Sequence, residues 1–206
     1  MPKQALIVID LQNNYFPDGK FPLWNTDDTL ANIEAAIRKA RARNIPFIIV
    51  QHVADPTKGI SPFFYEGTAG VDIHPRIHSA APDAIIVTKS FADSFHHTTL
   101  EDTLTQLGVE ELLICGMMTQ NCVTHTAISK AAEKYSVKIL TDCCTTVNQM
   151  IHRIALNAVS IRLTLVGSSI TVSLLLAYVL TSATWALSES ENQVEAELVT
   201  NRGDRV

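Results

Sequence analysis

The sequence predicts an α/β fold: a three-layer, doubly wound sheet of about six mainly parallel strands with helices on both faces. Two observations carry that expectation. Apolar runs recur at residues 5–11, 46–53, 84–90, 111–117, 137–143 and 161–166, short and nearly unbroken, as strands buried on both faces should be. Segments with helical spacing separate them, the alternation that repeated βαβ units produce. Right-handed crossovers then distribute the helices over both faces of the sheet.

The first run, Ala5-Leu-Ile-Val-Ile9, ends at Asp10. In residues 15–25, Pro17-Asp-Gly19 and Pro22 stand among Tyr15, Phe16, Phe21 and Trp24, a mixture of turn formers and rings that suits a pocket wall or rim packing. A covering helix is expected over 27–44, where Leu30, Ile33, Ile37 and Ala40 share a face and Asp27 and Asp28 favour the positive end. After the second run, residues 54–82 carry Pro56, Gly59, Pro62, Gly67, Gly70, Pro75 and Pro82 with Phe63, Phe64 and Tyr65. So long a connection without regular structure is expected to border a ligand. The third run ends at Lys89, and a helix is expected over 98–107. The fourth, Glu111-Leu-Leu-Ile-Cys-Gly-Met117, gives way to a helix over 121–135 that opens at Cys122; a further helix over 147–160 leads to the last strand.

One domain is expected over residues 1–166. From Leu163 to Ser188 there is no charged residue, so 167–188 reads as an apolar C-terminal segment packed as a helix. Membrane attachment through 170–187 and a shifted reading frame are the alternatives. By composition, residues 189–206 are expected to form an acidic, mobile tail.

At 206 residues, 47% hydrophobic and 18% charged, the chain can bury a sizeable core. A net charge of −5 and no Lys/Arg-rich block argue against nucleic acid and leave a small molecule as the expected partner. The N-terminus enters its first strand with no basic, apolar and small-residue leader pattern, which predicts a cytoplasmic protein. Cys115 in an apolar run and the neighbours Cys143 and Cys144 after another fit a reducing compartment without disulfides. The vicinal pair reads as small apolar filler, with a redox role as the alternative.

Three reactive groups close three separate apolar runs: Asp10, Lys89 and, just past the fourth, Cys122. In an open parallel sheet such positions gather at the carboxyl ends of the strands, where active sites form. A thiol at a helix opening should have a lowered pKa. Amide hydrolysis requires a nucleophile, a proton donor for the leaving nitrogen and a stabilised oxyanion. Cys122 can attack, Asp10 can serve as base and then acid, and Lys89 can orient the pair and offset its negative charge. Taken singly, each has a plainer role: a turn-capping Asp, a solvated Lys, a buried Cys.

The blocks Asp10-Leu-Gln-Asn-Asn-Tyr-Phe16, Lys89 with Ser94-Phe95 and Thr98-Thr99-Leu100, and Gly116-Met-Met-Thr-Gln-Asn-Cys-Val123 follow one another at a familiar spacing. The chain resembles the isochorismatase-like cysteine hydrolases, the family of nicotinamidase, carbamoylsarcosine amidohydrolase and ureidoacrylate-type amidases, from the first strand to about Val166. The resemblance implies the triad Asp10, Lys89 and Cys122, a thioester intermediate, and release of ammonia or an amine. It places the oxyanion hole at the backbone N–H groups of Met118 and Cys122, implies a cis peptide between Met117 and Met118, and suggests a homo-oligomer. True isochorismatases cleave a vinyl ether without a nucleophilic cysteine, so the thiol points to small amide, ureide or carbamoyl substrates.

Metal-bearing nicotinamidases place Asp-x-His and a further His after the second strand, where this chain has Gln51-His52-Val53-Ala54-Asp55. Asp72 and His74 come later in a Pro-containing loop, so neither a metal nor another cofactor is expected. Tyr15, Phe16, Trp24, Phe63, Phe64 and Phe95 are candidates to line the substrate pocket. Gln120 and Asn121 either contact the substrate amide or cap the helix at Cys122. The competing functional class is a catalytically silent member of the fold that binds without turnover.

Overall fold

Strand β1 (Gln4–Ile9) runs through the interior of the sheet, with Ala5 to Ile9 at most 1% exposed. A computed structural model describes residues 2–55, 57 and 62–169. Around β1 lie β2 (Phe47–His52), β3 (Ile85–Lys89), β4 (Glu111–Met117), β5 (Ser136–Thr145) and β6 (Thr164–Val166). The six form one parallel sheet in the order β3-β2-β1-β4-β5-β6. Every residue of β4 is buried, whereas edge strand β3 exposes Ile85 and Ile86. A central parallel strand covered on both faces has no polar side to show, which is why the apolar runs in the sequence were unbroken.

The chain moves outward from β1 through β2 to β3, then crosses back to lay β4 on the other side of β1. The winding reverses between β1 and β4, the position in an open parallel sheet where strand ends gather a site. Gly116 permits the close approach of these strands. Its φ of +124° excludes ordinary side chains, and a Cβ there would collide with the Ile9 backbone.

The helix α1 (Thr26–Ala42) buries Leu30, Ile33, Ile37 and Ala40, and Asn32 Nδ2 donates to the Asp142 carbonyl at 2.8 Å, anchoring the helix to β5. Within the segment expected to be irregular, α2 (Pro75–Ala80) forms: Pro75 presets its first turn and His74 Nδ1 accepts from Arg76 N. Residues 56 and 58–61 of that segment lie outside the described residues. Later helices are α3 (Leu100–Gln106), α4 (Thr124–Ala127) and α5 (Gln149–Val159), the last capped by Asn148 Oδ1 on Ile151 N at 2.9 Å.

The continuous helix expected over 121–135 is broken into a π-helical turn (Thr119–Val123), α4 and a 3-10 turn (Lys130–Lys134). Ser129 stops α4 by leaving helical geometry (φ −54°, ψ 146°); its hydroxyl accepts from Ala131 N and donates to Asp93 at 2.7 Å. A serine that satisfies backbone groups itself competes with the helix. At the end of the described domain, Ser168 donates from its N and Oγ to the two carboxylate oxygens of Asp142, at 2.8 and 2.6 Å. The expected apolar segment and acidic tail, apart from residues 167–169, lie outside the described residues.

Candidate active site

Asp10 turns the chain out of β1 in a left-handed conformation (φ 54°), which Asp tolerates better than most residues. Its backbone N donates to Val50 O at 2.9 Å, and the residue is fully buried. Lys89, 2% exposed, extends its ammonium from the end of β3 to Asp10 Oδ2 at 2.9 Å, His52 Nδ1 at 3.1 Å and the Phe91 carbonyl at 3.1 Å. Cys122 sits in the π-helical turn after β4, 2% exposed. A carboxylate oxygen of Asp10, a ring nitrogen of His52 and Sγ of Cys122 all lie within 4.8 Å of one another. The structure thus brings Asp10, Lys89 and Cys122 together and adds His52 to them.

Burial opposes a charge on Lys89, but the attraction of Asp10 and Cys122 outweighs it and raises the lysine pKa. The ammonium is therefore a fixed cation. Burial, followed by the Asp10 charge, pushes the Cys122 thiol up to about 12, with Lys89 offsetting only part. This overturns the lowered pKa expected at a helix opening. Loss of hydration outweighs the dipole here, and a π-helical turn with a five-residue span replaces the open end of a long helix. His52 is held at about 4 by burial and then by Lys89, so its imidazole is neutral. Burial, Asp10 and Cys122 all raise the Tyr15 phenol.

Among the described residues, Asp10 Oδ1 is buried without a hydrogen-bond partner. One carboxylate oxygen is thus engaged by Lys89 while the other is open. The Met117–Met118 peptide is cis, and the Met118 carbonyl accepts from Asn121 N at 3.0 Å and Val123 N at 3.3 Å.

The candidate pocket residues divide. Tyr15, Phe63 and Phe64 pack edge to face with centroids 4.8 to 5.4 Å apart, and Phe64 lies 5.6 Å from the His52 ring. These rings adjoin the reactive group. Phe16 instead meets His74 at 4.2 Å, Trp24 meets His152 at 6.1 Å, and Phe95 stacks on Tyr135 at 6.3 Å. Gln120 Oε1 accepts from the Thr146 hydroxyl and Gln120 Nε2 lies 3.7 Å from Met118 Sδ. Neither Gln120 nor Asn121 caps the turn with its side chain, while the Asn121 carbonyl accepts from His125 Nδ1 at 2.9 Å. His74 Nδ1 accepts from Arg76 N, and among the described residues the group of possible ligands around His52 is Asp10 and Cys122, without Asp72 or His74.

The sequence offers His52 only as a possible metal ligand and gives Gln12 no role of its own. The Gln12 amide clamps the His52 backbone from both sides: Oε1 accepts from His52 N at 2.8 Å and Nε2 donates to His52 O at 2.8 Å. Gln12 Nε2 also donates to Val71 O at 2.6 Å. The sheet order is what gives His52 its place here, because β2 lies between the strands that deliver Asp10 and Lys89.

A doubly wound parallel sheet brings an acid, a lysine and a thiol together at its switch point. Residues 4–171 match the isochorismatase domain model, and the chain belongs to the isochorismatase family. It is 35% identical over 148 residues to the isochorismatase family protein YddQ of Bacillus subtilis, covering 72% of this chain and 81% of that one. It is 25% identical over 182 residues to the nicotinamidase of Escherichia coli, covering 72% and 85% of the two chains. The isochorismatase-like hydrolase of Alkaliphilus metalliredigens shares the fold with a TM-score of 0.75 at 24% identity, over 83% of this chain and 98% of that one. The protein is a hydrolase of this family. Among the described residues, no helix is long and apolar enough to cross a membrane; residues 170–187 lie outside that description.

Proposed function

We propose that the protein is a cysteine-dependent amidohydrolase that cleaves a small amide, ureide or carbamoyl substrate through a thioester. The observation that carries this reading is the buried Asp10–Lys89 ion pair beside Cys122, with Oδ1 of Asp10 open. A thiol held near 12 does not wait as thiolate. Its proton passes to Asp10 as sulfur attacks, so general-base help is needed at the moment of bond formation.

As the C–S bond forms, the carbonyl oxygen becomes an oxyanion that the N–H groups of Met118 and Cys122 receive. Asp10 then gives its proton to the amide nitrogen, the C–N bond breaks and ammonia or an amine leaves. Water attacks the thioester while Asp10 takes its proton; the C–S bond breaks, the acid departs and the proton returns to sulfur. Throughout, the buried Lys89 keeps the excess negative charge compensated. The relative named nicotinamidase supports an amide as substrate class, and Tyr15, Phe63 and Phe64 offer ring surface for a small planar group.

Four buried, free cysteines support a reducing, cytoplasmic setting, and Met150 and Ile154 on α5 with Ile161 beyond it, 62 to 90% exposed, support self-association. The test is ammonia release from a panel of primary amides and ureides. Turnover by the wild type, lost by at least about a thousandfold in Cys122→Ala and Asp10→Asn, is the expected result. Full activity in either variant contradicts its assigned role, and a panel left intact favours a silent binding protein.

A further inference from the structure

We propose that His52 is a positioning residue of this site: its Nδ1 holds one N–H of the Lys89 ammonium, so that the ammonium engages Oδ2 of Asp10 and leaves Oδ1 free to exchange a proton with Cys122. An ammonium has three N–H groups, and here three acceptors take them: Asp10 Oδ2, His52 Nδ1 and the Phe91 carbonyl. The Cys122 sulfur also lies beside the ammonium, and the second carboxylate oxygen of Asp10 is buried and unpartnered among the described residues.

The sheet dictates which residue does this. β2 lies between β1 and β3, and His52 pairs in register with Lys89, so the last side chain of β2 falls between the groups delivered by its two neighbours. Gln12 fixes the His52 backbone through both amide atoms, and the Phe64 ring lies beside the imidazole. The charged groups facing His52 are Asp10 and Lys89, with the Cys122 thiol beside them. Burial and Lys89 keep the imidazole unprotonated at neutral pH, so Nδ1 accepts and the remaining proton resides on Nε2.

Without the imidazole, one N–H of Lys89 loses its acceptor and is released to turn to Asp10 Oδ1, the unpartnered oxygen of the carboxylate it already holds. A carboxylate held at both oxygens is a weaker base, and its charge repels a neighbouring thiolate less. Turnover and thiol ionisation should therefore change in opposite senses. The inference rests on the reading of Asp10 and Cys122 as proton-exchange partners, and the test separates the two.

The experiment compares His52→Leu, His52→Asn and His52→Gln on an amide substrate, and measures the pH profile of Cys122 alkylation by iodoacetamide, which needs no substrate. In His52→Leu, kcat should fall about tenfold or more with KM changed less than about twofold, while the alkylation midpoint moves down. His52→Asn carries an acceptor near the Nδ1 position and should recover most of kcat and the wild-type midpoint. His52→Gln places the same amide one methylene farther out and should behave as Leu does, which keeps the test decisive if the Leu chain fails to fold. Equal behaviour of the Asn and Gln variants, wild-type kcat in the Leu variant, or an unmoved midpoint would overturn the proposal. A wild type that cleaves no amide refutes the amidase reading alone, since the alkylation midpoints still decide the role of His52.

Discussion

Asp10 and Lys89 have no water to fall back on, so each depends on the other for its charge. With both side chains fully buried, removing one partner leaves an isolated ion in a medium that cannot solvate it. Lys89→Met is expected to cost about 3–5 kcal/mol of unfolding free energy by urea denaturation, and the double variant Lys89→Met, Asp10→Asn should recover part of it. Additive losses would contradict the coupling. The neutral imidazole between them carries a pH signature. Its folded pKa of about 4 lies below the ordinary 6.5, so the unfolded chain binds the proton first as pH falls. The stability that His52 supplies is complete above about pH 6.5 and is lost on the way to pH 4, up to roughly 3 kcal/mol. Denaturation of wild type and His52→Asn at pH 7 and pH 4.5 checks this: the wild type should lose stability relative to the variant on acidification. Such electrostatics were not legible in the sequence. A thiol after a strand signals a nucleophile, but the burial that keeps it protonated depends on what the fold places over it.

At the level of elements, the junction of β1 and β4 is the tightest feature beneath the site. Gly116→Ala would force both a side chain into a left-handed backbone and a Cβ into the Ile9 backbone, and is expected to cost more than about 3 kcal/mol. A chemical denaturation midpoint equal to wild type would show that the strands can separate at no cost. Strands were readable because a covered parallel sheet demands continuous apolar runs, and α1 was readable from the spacing of Leu30, Ile33, Ile37 and Ala40. The breakage of the segment after Cys122 was not. Thr124, Thr126 and Ser129 look like tolerable helix residues, yet Thr126 Oγ1 is taken up by Ser94 and Ser129 by Asp93, partners more than thirty positions away. The short α2 escaped notice for a related reason, its Pro-rich neighbourhood reading as loop before His74 and Pro75 are seen to start a helix.

For the whole molecule, the winding order decides what the site contains. Three reactive residues at three strand ends could be listed from the sequence, but only the order β3-β2-β1-β4 sets Lys89 two strands from Asp10, places His52 on the strand that separates theirs and brings Cys122 in from the opposite side of β1. The functional claim reduces to whether an acyl group passes through sulfur. Partitioning by hydroxylamine tests that directly: with an amide substrate, hydroxamate should form in proportion to added hydroxylamine at the expense of the acid, and the product should vanish in Cys122→Ala. Substrate turned over to acid alone at every hydroxylamine concentration would contradict a thioester on Cys122.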